Sequence, residues 1–423
     1  MKVLGIIAEY NPFHNGHKYH LQASKELTGA DLTVVVMSGN FTQRGEPALL
    51  DKWARAEMAL QCGADLVIEL PVAYAMGSAE YFAFGAVKLL DSLGTVDALS
   101  FGSESGDLDR LTEIASILMS EPEEYKGPLK ENLSAGKSFP SARQKALSSY
   151  IKAKNGKDHL SSLLKCSNNI LAVEYLKALM RLKSRITPVT IGRIGNDYNC
   201  STLTGEISSA TSIRKVFSET TWQTAGDLLG FSVPNTSLAI LERELELGRG
   251  PVFPSDFSLP LLSVLRKMSI EQLRALPYME DGLENRISDA AGKAGSFHEL
   301  TDFICTRRYP NTRIQRILFS ALIGLTDTMF EAFNISGGPA YIRILGFNSA
   351  GRRLLSTIRG RTALPVITKT ADYKSSTLPC VSDMLRLDSG ASDQYVLGYR
   401  NPIMRRSGSD FTHSVIYNDK SSL

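Results

Sequence analysis

Four short apolar runs in the first quarter of the chain, at residues 3–8, 32–37, 66–70 and 98–101, most constrain how it can fold. Each has the length and residue types of a buried strand, and stretches of helical character at 17–27, 53–61 and 79–90 separate them. Continuous apolar strands alternating with helices imply an α/β domain whose parallel sheet is covered on both faces. Ligands bind such sheets beyond the carboxyl ends of the strands, which is where segments 11–17 and 38–44 would lie.

The first of those junctions carries chemistry. The run that ends in Ile7, Ala8, Glu9 and Tyr10 stops at Asn11-Pro12, a dipeptide that favours a turn, and His14-Asn15-Gly16-His17 then opens a helix. Unpaired N–H groups and a partial positive charge at a helix start attract phosphate. Gly16 permits close approach. His14 and His17, one helical turn apart, can point the same way and donate hydrogen bonds as charge builds on a leaving pyrophosphate. The plainer alternative is a pair of exposed turn histidines without a role.

A second anion site is expected where Ser208-Ser209-Ala210-Thr211-Ser212 opens a helix, with Arg214 one turn in. Between the two lie a polar loop at 38–47 and a helix offering Arg44, Lys52 and Arg55 to phosphates or nucleic acid. Glu69 ends the third strand, either as a solvent-facing acid or as a group that positions substrate or Mg²⁺. Gly102 could admit an adenine or ribose. Ser167 or Asn168 makes a helix N-cap, and the two adjacent amides Asn168/Asn169 leave one for ligand.

At 423 residues two or three domains are expected. We place them at 1–225 (catalytic, with a basic helical insertion over 106–165), 226–339 (mainly helical) and 340–423 (a small α/β region). The net charge of +3 argues no global field for nucleic acid, so that case rests on local clusters. Arg307, Arg308, Arg313 and Arg316 around Tyr309 suit phosphate clamping and base stacking, and the tail adds Arg352, Arg353, Arg359, Arg361, Arg400, Arg405 and Arg406. The five cysteines are scattered, without zinc or disulfide spacing, as in a reducing cytoplasm. The apolar start is too short for a signal peptide, and no run is long enough for a membrane span.

NPFHNGH after the first strand resembles the HxGH signature of nucleotidyltransferases, and SATSIRK resembles their second triphosphate motif, with Ala210 where a hydroxyl is usual. Together with VMSGNFTQRGEPA, KWARAEMAL, ADLVIELP, SFGSE, SNNILAVEYL and TRRYPNTRIQRI, the pattern resembles the bacterial tRNA(Met) cytidine acetate ligases. The resemblance implies a Rossmann-like nucleotidyltransferase domain followed by an RNA-binding helical domain. It also implies a two-step reaction: acetate attacks the α-phosphate of ATP, then the acetyl group passes to N4 of the wobble cytidine of elongator tRNA(Met).

His14, His17, Ser212 and Arg214 would be its catalytic groups. Ile7, Ala8, Glu9, Tyr10, Asn11, Pro12, Phe13, His14, Asn15, Gly16, His17, Lys18, Tyr19, His20, Gly102, Asn168 (preferred to Asn169) and Arg193 would bind ATP. Mg²⁺ would be held mainly by the phosphates, with no protein metal ligand named. The residues identify no base for the cytidine amine. A nucleotidyltransferase acting on a free small molecule, its C-terminal half serving oligomerisation, is the alternative. A catalytically silent RNA-binding protein is a third.

Overall fold

A computed structural model of the chain describes residues 1–156, 158–192, 207–220, 222–373 and 376–419. The alternation expected from the apolar pattern is present in β1 (Val3–Ala8), α1 (Asn15–Thr28), β2 (Leu32–Ser38), α2 (Lys52–Gln61), β3 (Leu66–Leu70), the short α3 (Val72–Ala75), α4 (Ala79–Ser92) and β4 (Ala98–Ser103). Helices α5 (Leu108–Ser120), α6 (Glu123–Ser134) and α7 (Phe139–Asn155) occupy the expected insertion, before α8 (Ser167–Leu182), β5 (Thr187–Gly192) and α9 (Ala210–Glu219). The helical stretch then runs through α10 (Trp222–Leu229), α11 (Asn235–Glu246), α12 (Ser258–Leu265), α13 (Ile270–Arg274), α14 (Leu283–Lys293), α15 (Phe297–Ile304), α16 (Asn311–Ile323) and α17 (Asp327–Ile335). The chain closes with β6 (Ile342–Phe347), α18 (Ser349–Arg359), β7 (Val366–Ile367), α19 (Val381–Tyr395), α20 (Ser409–Thr412) and β8 (Ile416–Tyr417).

The strands form one sheet in the order β5-β4-β1-β2-β3-β6-β7, with β8 also paired to β6. β1 to β5 are mutually parallel, and β1 lies between β4 and β2. Every residue of β2 is buried, and its side chains alternate between layers. Val34 and Val36 join the core with α4 and α8, while Val35 and Met37 join the core with α2 and α11.

The C-terminal region is continuous with this sheet. β6 runs antiparallel to β3, which covers an edge that would otherwise offer unpaired N–H and C=O groups. The register sets Arg343 opposite Glu69, with 3.2 Å between guanidinium and carboxylate. The apolar core also crosses the expected boundary near 225, since Phe41 after β2 packs on Phe257 and Phe319 of the helical stretch. The boundaries at 225 and 339 therefore mark changes of secondary structure inside a shared core.

The acids bounding β3 face inward rather than to solvent. Asp65 accepts from the Thr33 N–H at 2.8 Å and from Asn348 Nδ2 at 2.7 Å. Glu69 accepts from Lys52 Nζ at 2.8 Å, and the same ammonium lies 2.8 Å from Asp410. Glu69 is thus fully engaged in the sheet, which removes its alternative role with substrate or Mg²⁺. Among the described residues no helix is long and apolar enough to cross a membrane.

Candidate active site

The cavity opens at the carboxyl ends of β1, β4 and β5. β1 leads into a tight turn in which Tyr10 takes φ 47°, and α1 begins with His14 as its N-cap. The two histidines cap each other's backbone: His14 Nδ1 accepts from the Gly16 N–H at 3.1 Å, and His17 Nδ1 accepts from the His14 N–H at 3.3 Å. Their rings stack 3.7 Å apart at 27°. With both Nδ1 atoms accepting, each neutral imidazole carries its proton on Nε2 and presents a donor. The pair thereby satisfies orphan helix donors and fixes the orientation of both rings.

Tyr10 packs edge-on to His17 at 4.9 Å, and Phe13 lies 5.6 Å behind it. Gly16 is required here because a Cβ would fall 2.9 Å from His14 Cε1. Ile7, Ala8, Glu9 and Asn11 line the cavity, as do Tyr10, His14, Gly16, His17, Tyr19 and His20. The rest of the expected stretch does not: Pro12 and Phe13 are buried behind the turn, and Lys18 is exposed. Asn15 instead binds the start of the helical stretch, donating from its backbone to Ser232 O at 3.0 Å and from Nδ2 to Phe231 O at 2.9 Å.

α9 supplies the facing wall. Ser209 is its N-cap, accepting from the Ser212 N–H at 3.0 Å. Ser209, Ala210 and Arg214 line the cavity, whereas Ser212 is buried and its hydroxyl donates to Ser209 O at 2.8 Å. Ser208 and Ser209 therefore line the site, one turn before the residue favoured from the sequence. Arg214 Nη1 donates to Asn11 O at 3.0 Å and Nη2 lies 3.5 Å from the Glu46 carboxylate, tying the second motif directly to the first.

Gly102 and Asn168 form the opposite side with Ile191 and Gly192. The two amides divide their work. Asn169 Oδ1 accepts from the N–H groups of Glu104 and Ser105 at 3.0 and 3.2 Å, and its Nδ2 donates to Leu163 O. Asn168 lines the cavity while Glu104 caps α8, accepting from Asn168 Nδ2 at 2.7 Å and from the Asn169 N–H at 2.8 Å. The sequence reading missed Glu104, although a carboxylate opposite a helix start is a recognisable signal. Arg193 lies outside the described residues.

Two groups expected to offer charge do not. Lys52 is wholly buried between Glu69 and Asp410. Arg55 is wholly buried too; its guanidinium donates to the carbonyls of Glu9 at 2.5 Å, Leu50 at 3.0 Å and Gly39, and burial pulls its pKa down. It braces the ends of β1 and β2 from below.

Several arginines of the helical stretch are paired within the protein, while Arg307 and Arg308 stay exposed. Arg313 donates to Tyr278 O and to Glu280 at 2.7 Å, Arg308 pairs with Glu280 at 3.2 Å, and Arg316 donates to Gln43 O at 2.9 Å. In the insertion Arg143 is buried against Glu174 at 2.5 Å. Arg352, Arg353 and Arg359 are exposed on α18, but that helix starts beside Asp65, at the amino end of β3 and away from the cavity. Partners distant in sequence account for these departures.

A family model described as HIGH Nucleotidyl Transferase matches residues 1–410. The chain is 51% identical over 98% of its length, and all of the relative's, to a tRNA(Met) cytidine acetate ligase of Acetivibrio thermocellus. It is 47% identical at the same coverages to one of Caldanaerobacter subterraneus. The crystal structure of Thermotoga maritima TmcAL bound with alpha-thio ATP superposes with a TM-score of 0.92 at 39% identity, covering 99% of this chain and 100% of that one. The apo form of the same protein gives 0.94. Matched over its whole length in sequence and fold, the chain belongs to the tRNA(Met) cytidine acetate ligases of the HIGH nucleotidyl transferase family.

Proposed function

We propose that this protein activates acetate with ATP and transfers the acetyl group to N4 of the wobble cytidine of elongator tRNA(Met). The observation that carries the reading is full-length likeness to ligases of that name, at 51% identity for the Acetivibrio thermocellus relative. The site has the parts for the first step. A carboxylate oxygen of acetate attacks the α-phosphorus, the bond to the bridging oxygen breaks, and pyrophosphate leaves. His14 and His17 would donate from Nε2 to the charge that develops, and Arg214 would hold terminal phosphate oxygens.

Ser209, and Ser212 through its place in the same helix turn, would set the N-terminus of α9 against the triphosphate. Gly102 and Asn168 would receive the nucleoside. Mg²⁺, held by phosphate oxygens and water, would neutralise the triphosphate. Residues 226–339 would serve tRNA through exposed cations such as Arg307 and Arg308, in a cytoplasmic setting.

The test is nucleoside analysis of tRNA incubated with the protein, ATP and labelled acetate. Labelled N4-acetylcytidine that requires all three is the expected result. An adenylylated small product formed without RNA would overturn the reading in favour of a small-molecule nucleotidyltransferase.

A further inference from the structure

β1 separates two unlike sides of the cavity. Toward β4 the lining is uncharged, with Gly102 and Asn168. Toward β2 it is charged, with Glu9, Gln43 and Arg214 lining it and Glu46 beside Arg214. Glu9 is the acid of this side with a specific geometry. One carboxylate oxygen accepts from the Gln43 N–H at 2.6 Å, and among the described residues no hydrogen bond or ion pair reaches the other. Its backbone is held from below, since Glu9 O accepts from Arg55 Nη1 at 2.5 Å and the next residue is locked in the left-handed region. Glu9 is partly buried, and a carboxylate there with an open oxygen disfavours a phosphate oxygen placed directly against it. It suits a group that brings N–H donors and must lose a proton.

The second half of the reaction supplies such a group. The lone pair of the cytidine N4 amine is conjugated with the ring, so the amine attacks an acyl carbon effectively only as its proton leaves. Resting on the ligase reading above, we propose that Glu9 is the catalytic base of acetyl transfer. N4 forms a bond to the acetyl carbon, the bond from that carbon to the AMP phosphate oxygen breaks, AMP departs with the electron pair, and the N4 proton passes to the open Glu9 oxygen. Once pyrophosphate has left the Arg214 end, the Glu9 carboxylate then faces the base to be modified, while the uncharged side holds the adenylate.

Burial pushes the Glu9 carboxyl up, against the Gln43 N–H; Glu46 pushes it further up, and Arg214 and Arg44 pull it down, leaving it raised. A carboxylate base works only when ionised. Transfer should therefore rise with pH through a limb above the ordinary Glu value of about 4.3 and then level off.

The test uses the full-length protein and reads the two halves separately: acetate-dependent ATP–pyrophosphate exchange, and single-turnover transfer to tRNA from about pH 5 to about pH 8. Glu9→Gln keeps the shape and the Gln43 contact. It should lower transfer by roughly 10²–10⁴-fold and abolish the acid limb, and lower exchange, which shares the cavity, by a smaller factor. Glu9→Asp should fall between and keep a limb. Glu9→Gln transfer within about threefold of wild type, or an equal fall in both halves with the acid limb intact, overturns the assignment alone. Wild-type protein without acetate-dependent exchange overturns the ligase reading and the assignment with it.

Discussion

Two groups of charged side chains flank the first three strands, and they are built on opposite rules. Lys52, Glu69, Arg343 and Asp410 form a buried quartet of two cations and two anions, with the Lys52 contacts at 2.8 Å and the Arg343 contacts at 3.2 and 2.9 Å. Burial raises the Asp410 carboxyl, but Lys52 and Arg343 outweigh it and hold that group far below the ordinary range. Glu9, Arg214 and Glu46 lie nearby at the mouth of the cavity. There the acid is raised rather than depressed, and among the described residues one of its oxygens has no partner. Proximity to the strand ends does not separate structural from chemical charge. Completeness of pairing does: every member of the quartet faces an opposite charge, whereas among the described residues one Glu9 oxygen has no such partner.

Breaking one member of the quartet should have the largest effect. Lys52→Met leaves two buried carboxylates facing one guanidinium, which costs about 3–5 kcal/mol of unfolding free energy. Denaturant unfolding measures it, and a loss below about 1 kcal/mol would mean that water already enters the quartet.

On the cavity side the cost should appear in rate instead. On the proposed role of His14, acetate-dependent pyrophosphate exchange should fall by roughly 10²–10³-fold in His14→Ala, or about 3–4 kcal/mol of transition-state stabilisation. Stability should fall by only about 1 kcal/mol for the lost cap. Unchanged exchange would remove the histidines from the chemistry.

The smallest expected effect sharpens the same contrast. Gly16→Ala inserts a Cβ 2.9 Å from the His14 ring, which must tilt out of its stack on His17. Exchange should slow by about tenfold with stability changed by less than about 1 kcal/mol. Equal losses in both would make Gly16 a folding residue only.

Much of the site is legible in the residues alone. The helix starts at 14 and 209 can be read from His-x-Gly-His and a hydroxyl run, because capping is local chemistry and falls within four residues. The mutual capping of His14 and His17 cannot, since either ring could equally face solvent. Nor does spacing say which hydroxyl of 208–212 faces the cavity, or that Asn168 rather than Asn169 lines it, because each choice depends on where a helix is rotated against its neighbours.

Apolar periodicity and local hydrogen bonding are enough to specify the alternation of buried strands and helices, the end of the sheet where the cavity opens, and the two capped helix starts. None of these needs a distant partner. Which charges are available is a different matter, settled only when remote segments meet. Lys52 looks like a phosphate ligand until β6 places Arg343 opposite Glu69 and Asp410 arrives from 358 residues away. Arg316 looks like an RNA contact until it meets the Gln43 carbonyl. A charge is committed or free according to what lies within a few ångströms of it, and in a fold whose last strands complete its first sheet, those neighbours come from the far end of the chain.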